Sequence, residues 1–168
     1  MKYLVQKAQA GDTEAFVRLL EIHHASMVKI ARSYFSQQFD IDDILQDTAI
    51  ACWINLPTLK KPQFFKTWLI RILINQCYAE IKKHPQTLPI EEAEKIGSQT
   101  YDPNCMDFDN VIELLDQKYR IVLTLYYNIG FTTSEIANIL NIPTETVKTR
   151  MKRGREQLYK RLKGGENQ

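Results

Sequence analysis

From Phe16 to Tyr34 the inward-type positions Phe16, Leu19, Leu20, His23, Met27, Ile30, Ala31 and Tyr34 recur at steps of three, four or one. That rhythm draws one stripe down a long α-helix. Asp12 or Thr13 caps its start and Glu14 stands in its first turn. A second helix is expected after Asp40, with Ile41, Ile44, Leu45, Thr48, Ala49, Cys52 and Trp53 on one side. Pro57 and Pro62 bracket a loop over Leu56–Gln63, and a third helix follows over Phe64–Lys83. Its apolar positions are Phe65, Trp68, Leu69, Ile72, Leu73 and Cys77.

The pattern then breaks. Residues 84–107 hold Pro85, Pro89, Gly97 and Pro103, with Glu91, Glu92 and Glu94 between them, and keep no amphipathic stripe. A segment of that composition reads as a flexible acidic linker with room for one short helix. Apolar periodicity resumes at Val111, Ile112, Leu114 and Leu115, then at Ile121, Val122, Leu123, Leu125 and Tyr126. These form two short helices, the second stopped by Gly130. No period of two argues for a strand. The expected fold is all-α: a helical domain over 1–83, the linker over 84–107, and a second helical domain over 108–168.

The second domain ends in a helix-turn-helix. Thr132-Thr133-Ser134-Glu135 is a capping box. Ile136, Ala137 and Leu140 form an inner face, Ala137 being small where the next helix crosses. Asn141 suits a left-handed turn residue. Pro143 fits the start of the following helix, Thr144 can cap it, and Val147 and Met151 face inward. The outward positions are Glu145, Thr146, Lys148, Thr149, Arg150, Lys152 and Arg153, extended by Arg155, Lys160, Arg161 and Lys163. The first of these suit base edges in a major groove and the later ones suit phosphates.

Charge sharpens the picture. The net charge of +2 divides into −2 over residues 1–59, +5 over 60–83, −6 over 84–142 and +5 over 143–168. Two basic blocks separated by an acidic stretch suit two anionic contacts on one chain. The 3 cysteines have no zinc spacing and no even pairing, so buried thiols are expected. Adjacent His23 and His24 cannot form an i, i+4 metal pair. No nucleophile–base or metal constellation and no phosphate-binding motif occurs, which argues against an enzyme and against a cofactor or metal. No apolar run approaches the roughly 20 residues of a membrane span, and Met1–Lys7 lacks a signal-peptide core, so a cytoplasmic protein is expected.

Taken in order, these residues resemble bacterial RNA polymerase sigma factors of the extracytoplasmic-function (ECF) type. Gly11-Asp12-x-x-Ala15-Phe16 matches the family's opening. Asp42-Asp43-Ile44-Leu45-Gln46-Asp47-Thr48 resembles its acidic helix, and Phe65-x-x-Trp68-Leu69-x-x-Ile72-x-x-Asn75 its promoter-opening helix. Glu135-Ile136-Ala137 and Thr146-Val147-Lys148-Thr149-Arg150-Met151-x-Arg153-Gly154-Arg155 are similar to its last helix-turn-helix. Three departures stand out: Ala79 and Lys82 fall where the family usually has Asp and Arg, with Glu80 a shifted substitute, and Glu145 precedes Thr-Val-Lys.

The resemblance implies a division of labour. Asp42, Asp43, Leu45, Gln46 and Asp47 would dock on core RNA polymerase. Lys60, Lys61, Phe64, Lys66, Trp68, Arg71, Asn75, Gln76, Lys82 and Lys83 would read and melt the −10 promoter element. Thr144, Glu145, Thr146, Lys148, Thr149, Arg150, Lys152, Arg153 and Arg155 would read the −35 element, and the acidic linker would thread near the polymerase active site. Partners would be core polymerase, promoter DNA and an anti-sigma factor able to hold the protein at the membrane, with no small-molecule substrate. The competing readings are a stand-alone helix-turn-helix regulator, which leaves the first domain's basic and acidic faces unexplained, and a helical interaction protein.

Overall fold

The structure, a computed structural model, describes residues 1–83 and 108–164, with side chains over 1–83 and 111–161. The linker assigned to 84–107, with its acidic residues and Cys105, lies outside the described residues. Among those described, every regular element is helical. The order is α1 Lys2–Gln9, α2 Thr13–Arg32, α3 Gln38–Asn55, α4 Phe65–Lys83, α5 Phe108–Glu113, α6 Gln117–Leu123, α7 Thr133–Leu140 and α8 Thr144–Gly164. Two 3₁₀ turns, Leu56–Thr58 and Pro62–Phe64, connect α3 to α4, and a π-helical stretch, Thr124–Asn128, extends α6.

The first unit packs α1, α2, α3 and α4 around Leu19, Ile30, Ile41, Phe65, Leu69 and Leu73, all fully buried. The Asp12 carboxylate accepts from the Ala15 N–H at 2.9 Å, so Asp12, not Thr13, caps α2. α1 has no counterpart in the periodicity reading, because an eight-residue helix with only Val5 and Ala8 buried carries too short a stripe to register. It has a structural task nonetheless. The Gln9 side-chain amide donates to the Leu56 and Leu59 carbonyls, at 3.1 and 2.8 Å, and so fastens the loop before α4.

Boundaries shift in ways that matter. α3 begins at Gln38, two residues before Asp40, so Asp42–Asp47 lies beyond its first turn. α4 begins at Phe65, which leaves Phe64 in a 3₁₀ turn and exposed. Trp53 turns outward against Phe16, ring centroids 5.0 Å apart, instead of joining the core.

The second unit packs α6 and α7 on α8, with α5 against α6. The Ile129 N–H reaches the Thr124 carbonyl five residues back at 3.2 Å, which defines the π turn. Gly130, at φ +80°, then reverses the chain. Leu114, expected inside, is exposed at the end of the α5 turn. At Gly154 an added Cβ would lie 2.9 Å from Leu123 Cδ1 and 3.2 Å from Tyr119 Cβ, so glycine allows α8 to lie directly on α6.

Candidate nucleic-acid interface

Helical spacing of 3.6 residues per turn sorts each element's side chains into faces. On α3, Ile41, Ile44, Thr48 and Cys52 are buried. The opposite side presents Phe39, Asp42, Asp43, Gln46, Asp47, Ile50 and Ile54, all exposed. This is a mixed surface in which carboxylates are rimmed by large apolar groups. Asp42 accepts from the Gln38 amide at 2.8 Å. Leu45 does not belong to this face. It is half-buried against the core, one step round the helix from the acidic row. Sequence reasoning missed Phe39, Ile50 and Ile54, whose signal was their place three, four or seven positions from the acidic residues.

On α4 the exposed row is Arg71, Asn75, Tyr78 and Lys82, spaced by three or four, with Lys83 beside it. Lys60, Lys61 and Phe64 stand exposed just ahead of the helix, with Lys61 Nζ 6.0 Å from the Phe64 ring centroid. Trp68 is half-buried, its ring 5.9 Å from that of Phe65, and Gln76 is half-buried too. Lys66 is turned away from this row. Its ammonium donates to the Ile129 carbonyl at 2.7 Å and lies 4.9 Å from the Phe131 ring centroid, both in the second unit. The helix also buries Ile70 and Ile74, on the Lys66 side of its axis.

The helix-turn-helix is built as its residues dictate. The Glu135 N–H donates to Thr132 Oγ1 at 3.2 Å, and the Thr132 N–H donates to Glu135 Oε2 at 2.9 Å. The bond from the Thr132 N–H, with a second from the Thr132 hydroxyl to Glu135 Oε2 at 2.8 Å, holds the Glu135 carboxyl below its ordinary value by stabilising its charged form. Asn141 takes the left-handed conformation, φ 53° and ψ 48°. The Val147 N–H bonds to the Pro143 carbonyl at 3.2 Å, so Pro143 stands just outside α8 and Thr144 is its first residue, not its cap. Proline is tolerated there because the position needs no N–H donor.

On α8, Val147, Met151 and Gly154 are buried. Glu145, Lys148, Thr149, Lys152, Arg153 and Arg155 form the exposed face, continued by Lys160 and Arg161. Lys148 pairs with Glu145 at 2.7 Å, and Lys152 approaches Glu156 at 4.0 Å. Exposed pairs of this kind hold a side chain weakly, and a phosphate can replace the carboxylate. The Thr149 hydroxyl donates to the Glu145 carbonyl at 2.8 Å. Thr144 and Thr146 are half-buried at the edge. Arg150 leaves the exposed face. It is half-buried, and its charge acts on the phenol of Tyr34, just beyond α2.

The two thiols described are not reactive groups. Cys52 and Cys77 are fully buried, and burial pushes both up to about 12.

With this geometry in place, comparison with known proteins is direct. The family model for sigma-70 region 2 matches residues 19–86, and that for sigma-70 region 4 matches residues 105–158. The ECF RNA polymerase sigma factor SigW of Bacillus subtilis (strain 168) is 31% identical over 97% of both chains. This chain belongs to the ECF RNA polymerase sigma factors. The RNA polymerase sigma factor NccH of Alcaligenes xylosoxydans xylosoxydans is 29% identical, covering 92% of this sigma factor and 90% of that protein. Among solved structures, the sigma factor RpoE in complex with the anti-sigma factor NepR from Bartonella quintana is 25% identical. It superposes with a TM-score of 0.71 over 88% of this chain and 96% of its own. CnrH, solved with the cytosolic domain of CnrY, shares the fold at a TM-score of 0.70 and 24% identity over 97% of each chain. Region 2 thus takes in α4 and its exposed basic row, and region 4 takes in the helix-turn-helix. Within this sigma factor's described residues, no helix is long and apolar enough to cross a membrane.

Proposed function

We propose that this sigma factor gives core RNA polymerase its promoter specificity through three faces on two domains, 1–83 and 108–168. The observation that carries the reading is the pair of exposed basic rows on one chain, one along α4 and one along α8, each on an element matched by a sigma family model. The acidic and apolar face of α3 docks on the polymerase: Asp42, Asp43 and Asp47 meet basic groups, Gln46 supplies amide hydrogen bonds, and Phe39, Ile50 and Ile54 supply apolar contact. The α8 face meets duplex −35 DNA, with Glu145 and Thr149 toward base edges and Lys148, Lys152, Arg153 and Arg155 on phosphates.

Strand opening belongs to the first domain. Arg71, Lys82, Lys83, Lys60 and Lys61 neutralise phosphates of the −10 strand, while Phe64, Trp68 and Asn75 hold an unstacked base by stacking and hydrogen bonding. Neither domain need bind tightly alone, because two weak contacts on one chain add only at promoters with the right spacing. The protein itself catalyses nothing and needs no cofactor or small-molecule substrate. It works in the cytoplasm, and the complex of the similar sigma factor RpoE with the anti-sigma factor NepR supports an anti-sigma partner here too.

The test is in vitro transcription with sigma-free core polymerase, first on a promoter library and then on one selected promoter in duplex and pre-melted −10 forms. Trp68→Ala with Asn75→Ala should reduce open complexes on the duplex more than closed complexes, at a scale of about 1–3 kcal/mol per stacked base. The pre-melted form should rescue the variant in part. Normal permanganate footprints from a folded double variant would refute the melting role. Failure of the wild-type chain to direct any initiation would overturn the whole reading.

A further inference from the structure

The loop that joins α3 to α4 carries three of the groups assigned to the −10 strand, Lys60, Lys61 and Phe64, all exposed. Two 3₁₀ turns bound it, Leu56–Thr58 with Pro57 and Pro62–Phe64 with Pro62. The Leu59 N–H donates to the Leu56 carbonyl at 3.1 Å, and the Phe64 N–H to the Lys61 carbonyl at 3.0 Å. Between the turns the backbone is extended, with Leu59 at φ −72° and ψ 99° and Lys61 at φ −126° and ψ 94°. Leu56 and Leu59 are buried, so the first turn is anchored in the core while the lysines project.

Gln9 supplies a donor that this loop's own sequence withholds. A tight turn would bond the Leu59 carbonyl to the N–H three residues on, and that residue is Pro62, which has none. Gln9 Nε2 donates to that carbonyl at 2.8 Å and to the Leu56 carbonyl at 3.1 Å. A primary amide has two N–H groups, and both are committed to the loop. The peptide unit is planar, so fixing the Leu59 carbonyl fixes the direction in which the chain leaves toward Lys60. Gln9 is itself held. It is the half-buried last residue of α1, which buries Val5 and Ala8 and packs on α2 and on both 3₁₀ turns. The Gly11 N–H bonds to the Ala8 carbonyl at 3.0 Å and the Asp12 N–H to the Lys7 carbonyl at 3.1 Å, which closes α1 onto the start of α2.

Capture of an unstacked base depends on how much of its pocket is ordered before the base arrives, since ordering a loop on binding costs affinity. Lys61 Nζ stands 6.0 Å from the Phe64 ring centroid, which sets a cation beside an aromatic face. That pairing suits a base and its phosphate. Both side chains follow Leu59 closely in the chain, so its carbonyl is a lever on their placement. We propose that Gln9 is a positioning residue for capture of the −10 base. It acts through the Leu56 and Leu59 carbonyls, holding Lys60, Lys61 and Phe64 in their receiving arrangement without touching DNA itself. α1 thereby contributes to discrimination at the −10 element and not at the −35 element. The proposal rests on the −10 reading given above.

The experiment assembles the full chain with core polymerase and measures affinity for forked promoter DNA with an unpaired −10 strand, by fluorescence anisotropy. A series of forks carries an abasic site at each −10 position in turn. Gln9→Met keeps the length of the side chain and removes both donors. It should weaken binding to the intact fork about tenfold, the net worth of two hydrogen bonds to carbonyls. On the fork that lacks the captured base, wild type and variant should converge. Gln9→Lys, whose ammonium offers donors to the same carbonyls, should stay near wild type, and binding to duplex −35 DNA should not change. Gln9→Glu, which sets a carboxylate against both carbonyls, repeats the test if Gln9→Met alters the circular dichroism. Equal binding by variant and wild type on the intact fork overturns the proposal and leaves the −10 reading intact. So does the same loss on every fork, or a loss in Gln9→Lys as large as in Gln9→Met. Indifference of the wild type to every abasic site overturns the −10 reading and the proposal with it.

Discussion

Gly154 shows how one missing methyl group is decided by competing magnitudes. Alanine in place of glycine inside a helix gains about 1 kcal/mol from propensity. Here the new Cβ would meet Leu123 Cδ1 at 2.9 Å and Tyr119 Cβ at 3.2 Å, and Leu123 is fully buried, so its methyl has nowhere to retreat. Overpacking costs about 1–3 kcal/mol and exceeds the gain. Gly154→Ala should therefore lower the stability of the second unit, read as an earlier urea midpoint, whereas an unchanged or later midpoint would show that α6 yields easily. His23 poses a second question at this scale. It is buried against Phe65, ring centroids 5.8 Å apart, and its Nε2 has no hydrogen-bond partner among the described residues. Burial first and Lys66 second lower its pKa below 6.5. In the unfolded chain the imidazole takes up a proton near 6.5, while in the folded protein it resists. Stability is thus full above 6.5 and falls as pH drops from there toward the lowered folded value, by at most about 1.4 kcal/mol per pH unit. His23→Leu should flatten that part of the profile, and urea melts between pH 7.5 and 5.5 will report it.

At the scale of the element, the helix-turn-helix obeys local rules more closely than any other part of the chain. Its cap, turn and inner face are settled by neighbours within a few residues, which is why Thr132, Glu135, Ala137 and Asn141 were legible from the sequence. Removing the cap with Thr132→Ala should cost about 1 kcal/mol. Asn141→Gly should be tolerated at its φ of 53°, while Asn141→Val should cost about 1–2 kcal/mol more, because a β-branched residue resists the left-handed region. Circular dichroism melts of the three variants check the order. α3 and α4 were less legible, for a physical reason. Each has more than one apolar side: α3 carries Phe39, Ile50 and Ile54 outward, and α4 buries residues toward both units. A periodicity reading assumes a single inner stripe, so it mislaid Trp53, Ile70 and Ile74, while it placed Leu45 correctly on the inner side.

At the scale of the whole molecule, function divides among faces that no single element holds. The exposed acidic and apolar face proposed for docking is on α3 and the basic row is on α4, so the two can be altered separately. Asp43→Arg with Gln46→Ala should abolish co-purification with core polymerase while leaving helical content unchanged. Co-purification at the wild-type level would sink the docking role of α3. The arrangement of the two units also redistributes cations. Charge segregation marked both basic blocks, yet it had no means of showing that Lys66 and Arg150 face the neighbouring unit while their helical neighbours face solvent.

What the sequence determined by itself is whatever local chemistry and periodicity specify. That includes the all-α class, the capping box, the left-handed Asn141 and the basic outer row of α8. Ordered motifs added the resemblance to sigma factors, which the family models and the B. subtilis relative bear out. Only the tertiary structure decided which polar residues are spoken for. Gln9 holds the loop before α4, Ser33 meets Thr124 across 91 positions, and Lys66 reaches a carbonyl 63 positions away. Such pairings depend on where helices lie in space, and a side chain's own neighbours in sequence carry no trace of a partner brought to it by the fold.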